Sequence, residues 1–368
     1  MLNYILRRLL LMIPTLFGIL LINFVIINFV PGGPVERMIA QIQGHGGNAL
    51  SRVSGGGGDV AANNLPMQQA TGEISKYRGA QGLDPEFIKQ LEKMYEFDQP
   101  APVRFVKMVK NYLRFDLGQS YYRNISVLDL VLEKIPVSLS LGLWSTLLIY
   151  FISIPLGIRK AVKDGTPFDM WTSAAVFFGY SIPSFMFAIV LIILFAGGRY
   201  LDLFPLRGLV SDNWRDLSFP ALVVDYFWHM TLPIASLVIS GFAGLTMLTK
   251  NSFLDEINKQ YVLTARAKGL PENRVLYGHI FRNAMLIVIA GFPAAFVAIF
   301  FTGALLIEVI FSLDGMGLLG YESIINRDYP VVLGTLYMFT LLGLIMTLIR
   351  DIVYMLVDPR IDFEARRI

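Results

Sequence analysis

The residues best placed to do chemistry lie in one charged stretch, 250–284, where Arg266, Lys268 and Arg274 stand beside the small side chains of Thr264, Ala265 and Ala267. Small residues let another surface approach the backbone, and flanking positive charge holds it there. That is the chemistry of docking rather than of bond-making. A helical pattern reaches Lys268, Gly269 can take the positive φ of a helix C′ position, and Pro271 suits the first turn of a following helix. The expected local structure is a helix, a tight turn and a second helix. An ordinary amphipathic loop would show the same pattern. Machinery for bond-making is missing. With no cysteine, disulfides, thiolate metal sites and cysteine nucleophiles are excluded. His45, His229 and His279 are far apart and form no His-Glu-x-x-His, so a zinc enzyme is unsupported. No Gly-Lys pair occurs, so the chain lacks the phosphate-cradling loop of a P-loop ATPase, and no cofactor is expected in it. Asp314-Gly315-Met316-Gly317 carries its glycines after the aspartate, unlike the Gly-x-Gly-Asp of intramembrane aspartyl proteases, and suits a helix end.

The elements that would position this stretch are apolar and long. Of the 368 residues, 55% are hydrophobic and 16% charged, against about a quarter charged in a soluble domain, and the mean hydropathy is +0.57. The net charge of +3 gives no reason to expect a nucleic-acid partner. Six stretches contain no Asp, Glu, Lys or Arg: 9–30, 135–158, 170–198, 226–249, 283–307 and 329–349. About 20 helical residues cross a hydrocarbon core, so each is long enough to span. The first follows Arg7 and Arg8 as a signal peptide would. It is too long for one, and Pro31-Gly32-Gly33-Pro34 offers no cleavage site. An all-α integral membrane protein with six spanning helices is expected.

Fifteen Lys and Arg residues fall on one side, at Arg7 and Arg8, 159–163, 250–282 and 350–367, and four in the opposite short loops, at Arg199, Arg207, Arg215 and Arg327. By the positive-inside rule both termini are cytoplasmic, and the long segment 31–134 lies outside. Within it, 43–82 is rich in Gly, Asn, Gln and Ser without apolar periodicity, the composition of a flexible insertion. Asp84 and Pro85 read as N-cap and first helical position of a surface helix carrying Phe87, Ile88, Leu91, Met94 and Tyr95 on one face. A second amphipathic stretch runs from Val103 to Phe115. A core of spans two to six would occupy 135–368, with the charged loop at 250–282.

The run Tyr261-Val262-Leu263-Thr264-Ala265-Arg266-Ala267-Lys268-Gly269-Leu270, followed by Pro271-Glu272 and by His279-Ile280-Phe281-Arg282-Asn283-Ala284, resembles the EAA loop of binding-protein-dependent ABC importer permeases of the oligopeptide and dipeptide type. Further matches occur in order: Pro31-Gly32, Asp116-Leu117-Gly118-Gln119-Ser120, His229-Met230-Thr231-Leu232-Pro233, Glu308-Val309-Ile310-Phe311, Gly315-Met316-Gly317, Arg327-Asp328-Tyr329-Pro330, and Asp351-Ile352-Val353-Tyr354 with Asp358-Pro359-Arg360. Gly33 in place of the usual Asp, the Gly-rich insertion, and Arg282-Asn283-Ala284 without a following proline make it similar to the YejB-type subgroup, whose relatives import oligopeptides and the peptide-nucleotide antibiotic microcin C. Thr347 departs from the family's common Asn. The resemblance implies a multi-pass subunit of the bacterial inner membrane without catalytic residues. It also implies a second homologous permease, a cytoplasmic ABC ATPase docked on residues 261–272, and an extracytoplasmic peptide-binding protein.

Two rival readings, an ion-coupled secondary carrier and a membrane-embedded enzyme, both call for ionisable groups deep in the spans. None lies in the six apolar cores. Asn23, Asn28, His229 and Glu308 are the nearest polar candidates, and for the two asparagines hydrogen bonding between helices is the expected role. Substrate contact is expected from the inner faces of spans two to five.

Overall fold

The computed structural model describes residues 2–29, 85–94, 98–123, 125–198, 200–302 and 304–357. The insertion 43–82, Asp84 and Asp358-Pro359-Arg360 lie outside the described residues. Among those described there are helices and no strand, with one isolated bridge between Gln119 and Ser126. The chain divides into two compact units, one of Met1–Leu9, Glu133–Leu319 and Leu341–Ile368, the other of Leu10–Leu132 and Gly320–Thr340.

The second unit contains most of α1 (Leu2–Phe29), then α2 (Pro85–Met94) and α3 (Ala101–Tyr112). Large apolar side chains of α1 such as Leu10, Ile13 and Ile22 stay exposed, as a lipid-facing helix requires. Phe105 of α3 packs against Phe17 and Phe24 of α1, with ring centroids 5.5 and 5.2 Å apart. Arg104 donates to the Asn28 side chain at 2.6 Å, the interhelical role expected of that asparagine, whereas Asn23 bonds back to Ile19 C=O in its own helix. Two motifs far apart in sequence meet here. Ser120 Oγ and Tyr121 N–H donate to the Asp328 carboxylate at 2.5 and 3.1 Å.

The first unit holds the remaining spans, apart from the stretch 320–340, which belongs to the second. Helix α4 (Val127–Val162, 36 residues) opens on Ser126, whose hydroxyl accepts from Asp129 N–H and donates to its carboxylate. The third apolar run is not one helix. It forms α5 (Pro167–Ser181) and α6 (Ser184–Phe195), which meet at 93°. Pro183 removes a backbone donor and drives Ile182 into extended geometry (φ −101°, ψ 122°), so the α-helix cannot run through. Among the described residues five helices are long and apolar enough to cross a membrane, and the bent pair makes a sixth span if counted as one. After α6 come α7 (Phe219–Ile257, 39 residues), α8 (Gln260–Ala267) and α9 (Glu272–Val275). A π turn, Leu276–Ile280, leads into α10 (Phe281–Thr302), followed by α11 (Ala304–Ile310), α12 (Met316–Asn326) and α13 (Tyr329–Val357).

A second pair of motifs meets in this unit. Glu308 on α11 is fully buried and accepts from Leu318 N–H (2.7 Å), Gly317 N–H (3.4 Å) and Ser138 Oγ (3.3 Å), while Ser138 Oγ accepts from Met316 N–H (2.8 Å). Glu308 and Ser138 thus satisfy the first free backbone donors of α12. Asp314-Gly315 thus leads into a helix rather than ending one as expected, because these free donors find partners in Glu308 and Ser138, and the Asp314 carboxylate pairs with Lys134 at 2.5 Å.

Candidate coupling site

Residues 260–275 form the helix, turn and helix expected from their sequence. Helix α8 closes in a Schellman turn: Gly269 N–H bonds Arg266 C=O (2.9 Å) and Leu270 N–H bonds Ala265 C=O (3.4 Å). Gly269 has φ +77°, and nothing lies within 4 Å of where its Cβ would sit. Only the backbone conformation demands glycine there, not space. Pro271 is the N-cap of α9 rather than part of its first turn: its backbone is extended (ψ 146°) and its C=O accepts from Arg274 and Val275 N–H.

The turn has two faces. Val262 and Val275 are wholly buried and Ala265 nearly so, packed with Ile158, Ala161, Phe253, Ile280 and Ala284 from α4, α7, the π turn and α10. Each buried valine stabilises the arrangement by about 1.5–3 kcal/mol. Ala265 therefore belongs to the platform rather than to the free surface, because it sits one turn from Val262 on the same helix stripe. Tyr261 lies at the edge, donating to Glu256 at 2.6 Å; burial, then the Glu256 carboxylate, push its phenol above its ordinary value. The outer face carries Thr264, Arg266, Ala267, Lys268, Gly269, Pro271 and Glu272, all exposed. Arg266 and Glu272 pair across the turn at 3.0 and 3.1 Å, and an exposed pair of this kind contributes no more than about 1 kcal/mol. Leu263 and Tyr277, 52% and 60% exposed, join this face. Their signal in the sequence was weak, since an apolar residue in an amphipathic helix ordinarily points inward.

Beneath the platform lies a charge network that sequence reasoning missed. Lys160, with no exposed surface, reaches one Asp169 oxygen at 2.8 Å and donates to Thr172 and Ser173 at 3.0 and 2.7 Å. Lys250 reaches the other Asp169 oxygen and Asp164, both at 2.7 Å. Two lysines and two aspartates thus tie together the ends of α4, α5 and α7. Their positions at the ends of apolar runs suggested only topology, and nothing in a linear reading pairs residues 81 positions apart. The turn joins an exposed, partly basic face to three long helices through a close-packed core, and interiors packed to this density transmit strain.

Comparison with known proteins shows the family to which the chain belongs. Residues 153–363 match the family described as binding-protein-dependent transport system inner membrane component. Over 363 residues the chain is 60% identical to the peptidoglycan transport system permease protein YejB of Agrobacterium fabrum, covering 99% of both chains. It is 58% identical over 365 residues to the inner membrane ABC transporter permease protein YejB of Escherichia coli O157:H7, again over 99% of both. To the oligopeptide transport system permease protein AppB of Bacillus subtilis it is 33% identical over 361 residues, 98% of this chain and 99% of that one. With a family match over 153–363 and two relatives near 60% identity along the whole chain, this protein belongs to the binding-protein-dependent ABC importer permeases, the multi-pass inner membrane components of these systems.

Proposed function

We propose that this chain is one of two homologous permease subunits that together enclose a path for peptides or peptide-bearing compounds, with both termini in the cytoplasm and the 31–134 segment outside. Energy comes from a separate ABC ATPase seated on the outer face of 261–272, and cargo arrives on an extracytoplasmic binding protein. The observation that carries this reading is the two-faced turn: one side is exposed and basic, and the other is fused to α4, α7 and α10. Relatives named for peptidoglycan and oligopeptide transport favour cargo with a peptide backbone, and microcin C-type compounds fall in that class. The alternating exposure of such a path is a population shift driven by the nucleotide state of the ATPase.

Because the chain has no native cysteine, single cysteines report without background. A cysteine at Asp212 should react with an impermeant maleimide added to sealed cells, whereas cysteines at Asp164 and Glu272 should not. A cysteine at Lys268 should cross-link to the ATPase in the assembled complex. Outside labelling at Glu272, or no cross-link from Lys268 while the complex is intact, would overturn the reading. Uptake of a defined peptide set, compared in a strain lacking the chain, tests the cargo class.

A further inference from the structure

A crevice of about 330 Å³ opens between α4, α10 and α13, with Tyr150, Ile154, Met285, Ile289, Met346 and Val353 among its walls. Its walls present only apolar surface. A water molecule needs two to four polar partners, and a peptide backbone would leave its N–H and C=O groups unsatisfied there. A hydrocarbon chain needs no partner at all.

One end of the crevice is basic. Arg282 lies one helical turn before Met285, in the 282, 285, 289 series that faces the crevice, and it is exposed. It takes part in no hydrogen bond or ion pair among the described residues. Arg350 lies between Met346 and Val353 on the α13 wall. The carboxylate at this end is Asp351, and Arg8 already holds it at 2.6 Å, with Arg350 3.4 Å away. Arg282 and Arg350 therefore set positive charge beside an apolar slot. Basic pockets between spanning helices on the cytoplasmic side suit anionic headgroups.

We propose that this crevice binds an anionic phospholipid of the inner leaflet, with one acyl chain between α4, α10 and α13 and the headgroup phosphate on Arg282 and Arg350. The leaflet assignment rests on the orientation proposed above; the pairing of slot and arginines does not. Tyr150, Ile154, Met285 and Ile289 also pack on the core beneath the α8–α9 turn, so the lipid would brace the platform on which the ATPase is proposed to sit.

The test uses the assembled importer in detergent, titrated with dioleoyl phosphatidylglycerol or dioleoyl phosphatidylcholine and read by native mass spectrometry. One phosphatidylglycerol should be retained in preference to phosphatidylcholine. Arg282→Gln with Arg350→Gln should weaken that retention by roughly tenfold or more, since both charges that face the headgroup are removed. Ile289→Trp, which fills the slot and keeps both arginines, should abolish it in a complex that still elutes intact. Equal retention of the two lipids, or retention unchanged in the arginine double variant, overturns the proposal. So does a cysteine at Ile289 that cross-links to the second permease, which would make that subunit the occupant. A complex that lacks the ATPase but still retains phosphatidylglycerol would count against the coupling reading alone.

Discussion

The carboxylate of Glu308 occupies the space a side chain on Gly315 would need: a Cβ built at residue 315 overlaps the Glu308 carboxyl group. Glu308 cannot retreat without releasing Gly317 and Leu318 N–H at the start of α12. Gly315→Ala should therefore destabilise the protein by about 1–3 kcal/mol, the range for overpacking a filled site. Glu308→Ala combined with Gly315→Ala should cost less than the sum of the two single changes, because the clash is relieved once the carboxylate is gone. Thermal unfolding of the four purified proteins measures this; strict additivity would show that the two residues do not compete for space.

At the α8–α9 turn the constraint is conformational, which separates two substitutions. Gly269→Val places a β-branched residue at φ +77° and should cost about 1–3 kcal/mol locally, tilting or fraying α8. Gly269→Asn should be much milder, because asparagine tolerates this region. Both variants should insert in the membrane, since backbone hydrogen bonds are satisfied within each span. Only the valine variant should lose ATPase docking and peptide uptake, read by co-purification and transport. Normal transport by Gly269→Val with the ATPase bound would remove this turn from the coupling mechanism.

Asp169 is the shared partner of two lysines, so the members of its network are unequal. Asp169→Asn leaves Lys160 buried with no counter-charge and should cost about 3–5 kcal/mol. Lys250→Met should cost less, because Asp169 keeps Lys160 and Asp164 is half exposed to water. Chemical unfolding in mixed micelles ranks the pair, and the reverse order would show that Lys160 is neutralised by groups other than Asp169.

Burial pushes the Asp328 carboxyl above its ordinary value, with the hydrogen bonds from Ser120 and Tyr121 N–H opposing the shift. A carboxyl with a folded pKa above its unfolded one holds its proton more tightly in the folded state. Its contribution to stability is therefore full below the unfolded pKa, about 3.9, and falls as pH rises through the folded pKa. Between two proteins differing only by Asp328→Asn, the wild type should lose melting temperature relative to the variant as pH climbs from about 4 through that window. Parallel melting curves in pH would contradict the shift.

Much of this architecture was readable from residue order, for reasons that differ by element. Uninterrupted apolar runs mark the spans because lipid offers no partner to a backbone group or charge. The Gly269 turn was readable because one residue type and one conformation go together. The break in the third run was also written in the sequence, at Ile182-Pro183, but run length alone hides a bend that keeps both halves apolar. The inward placement of Ala265 was not readable, since a small residue suits close approach from either side. The Lys160, Asp169 and Lys250 network was illegible because its pairing depends on how three helices dock. Motifs that stood isolated in sequence, such as Asp116 to Ser120 and Arg327 to Pro330, prove to be two halves of one contact.

Proline 233 lies inside α7, and beyond it the helix runs unbroken to Ile257, where Phe253 is wholly buried in the platform under the turn. At 1.5 Å per residue that distal arm is about 36 Å long. Pro233 leaves one carbonyl without its usual partner and so makes a natural fulcrum. A swing of about 5° at that point carries the platform end through about 3 Å, by the length of the arm alone. Gearing of this kind lets a movement of atomic size at the α8–α9 turn answer to a rotation too small to disturb packing near the proline.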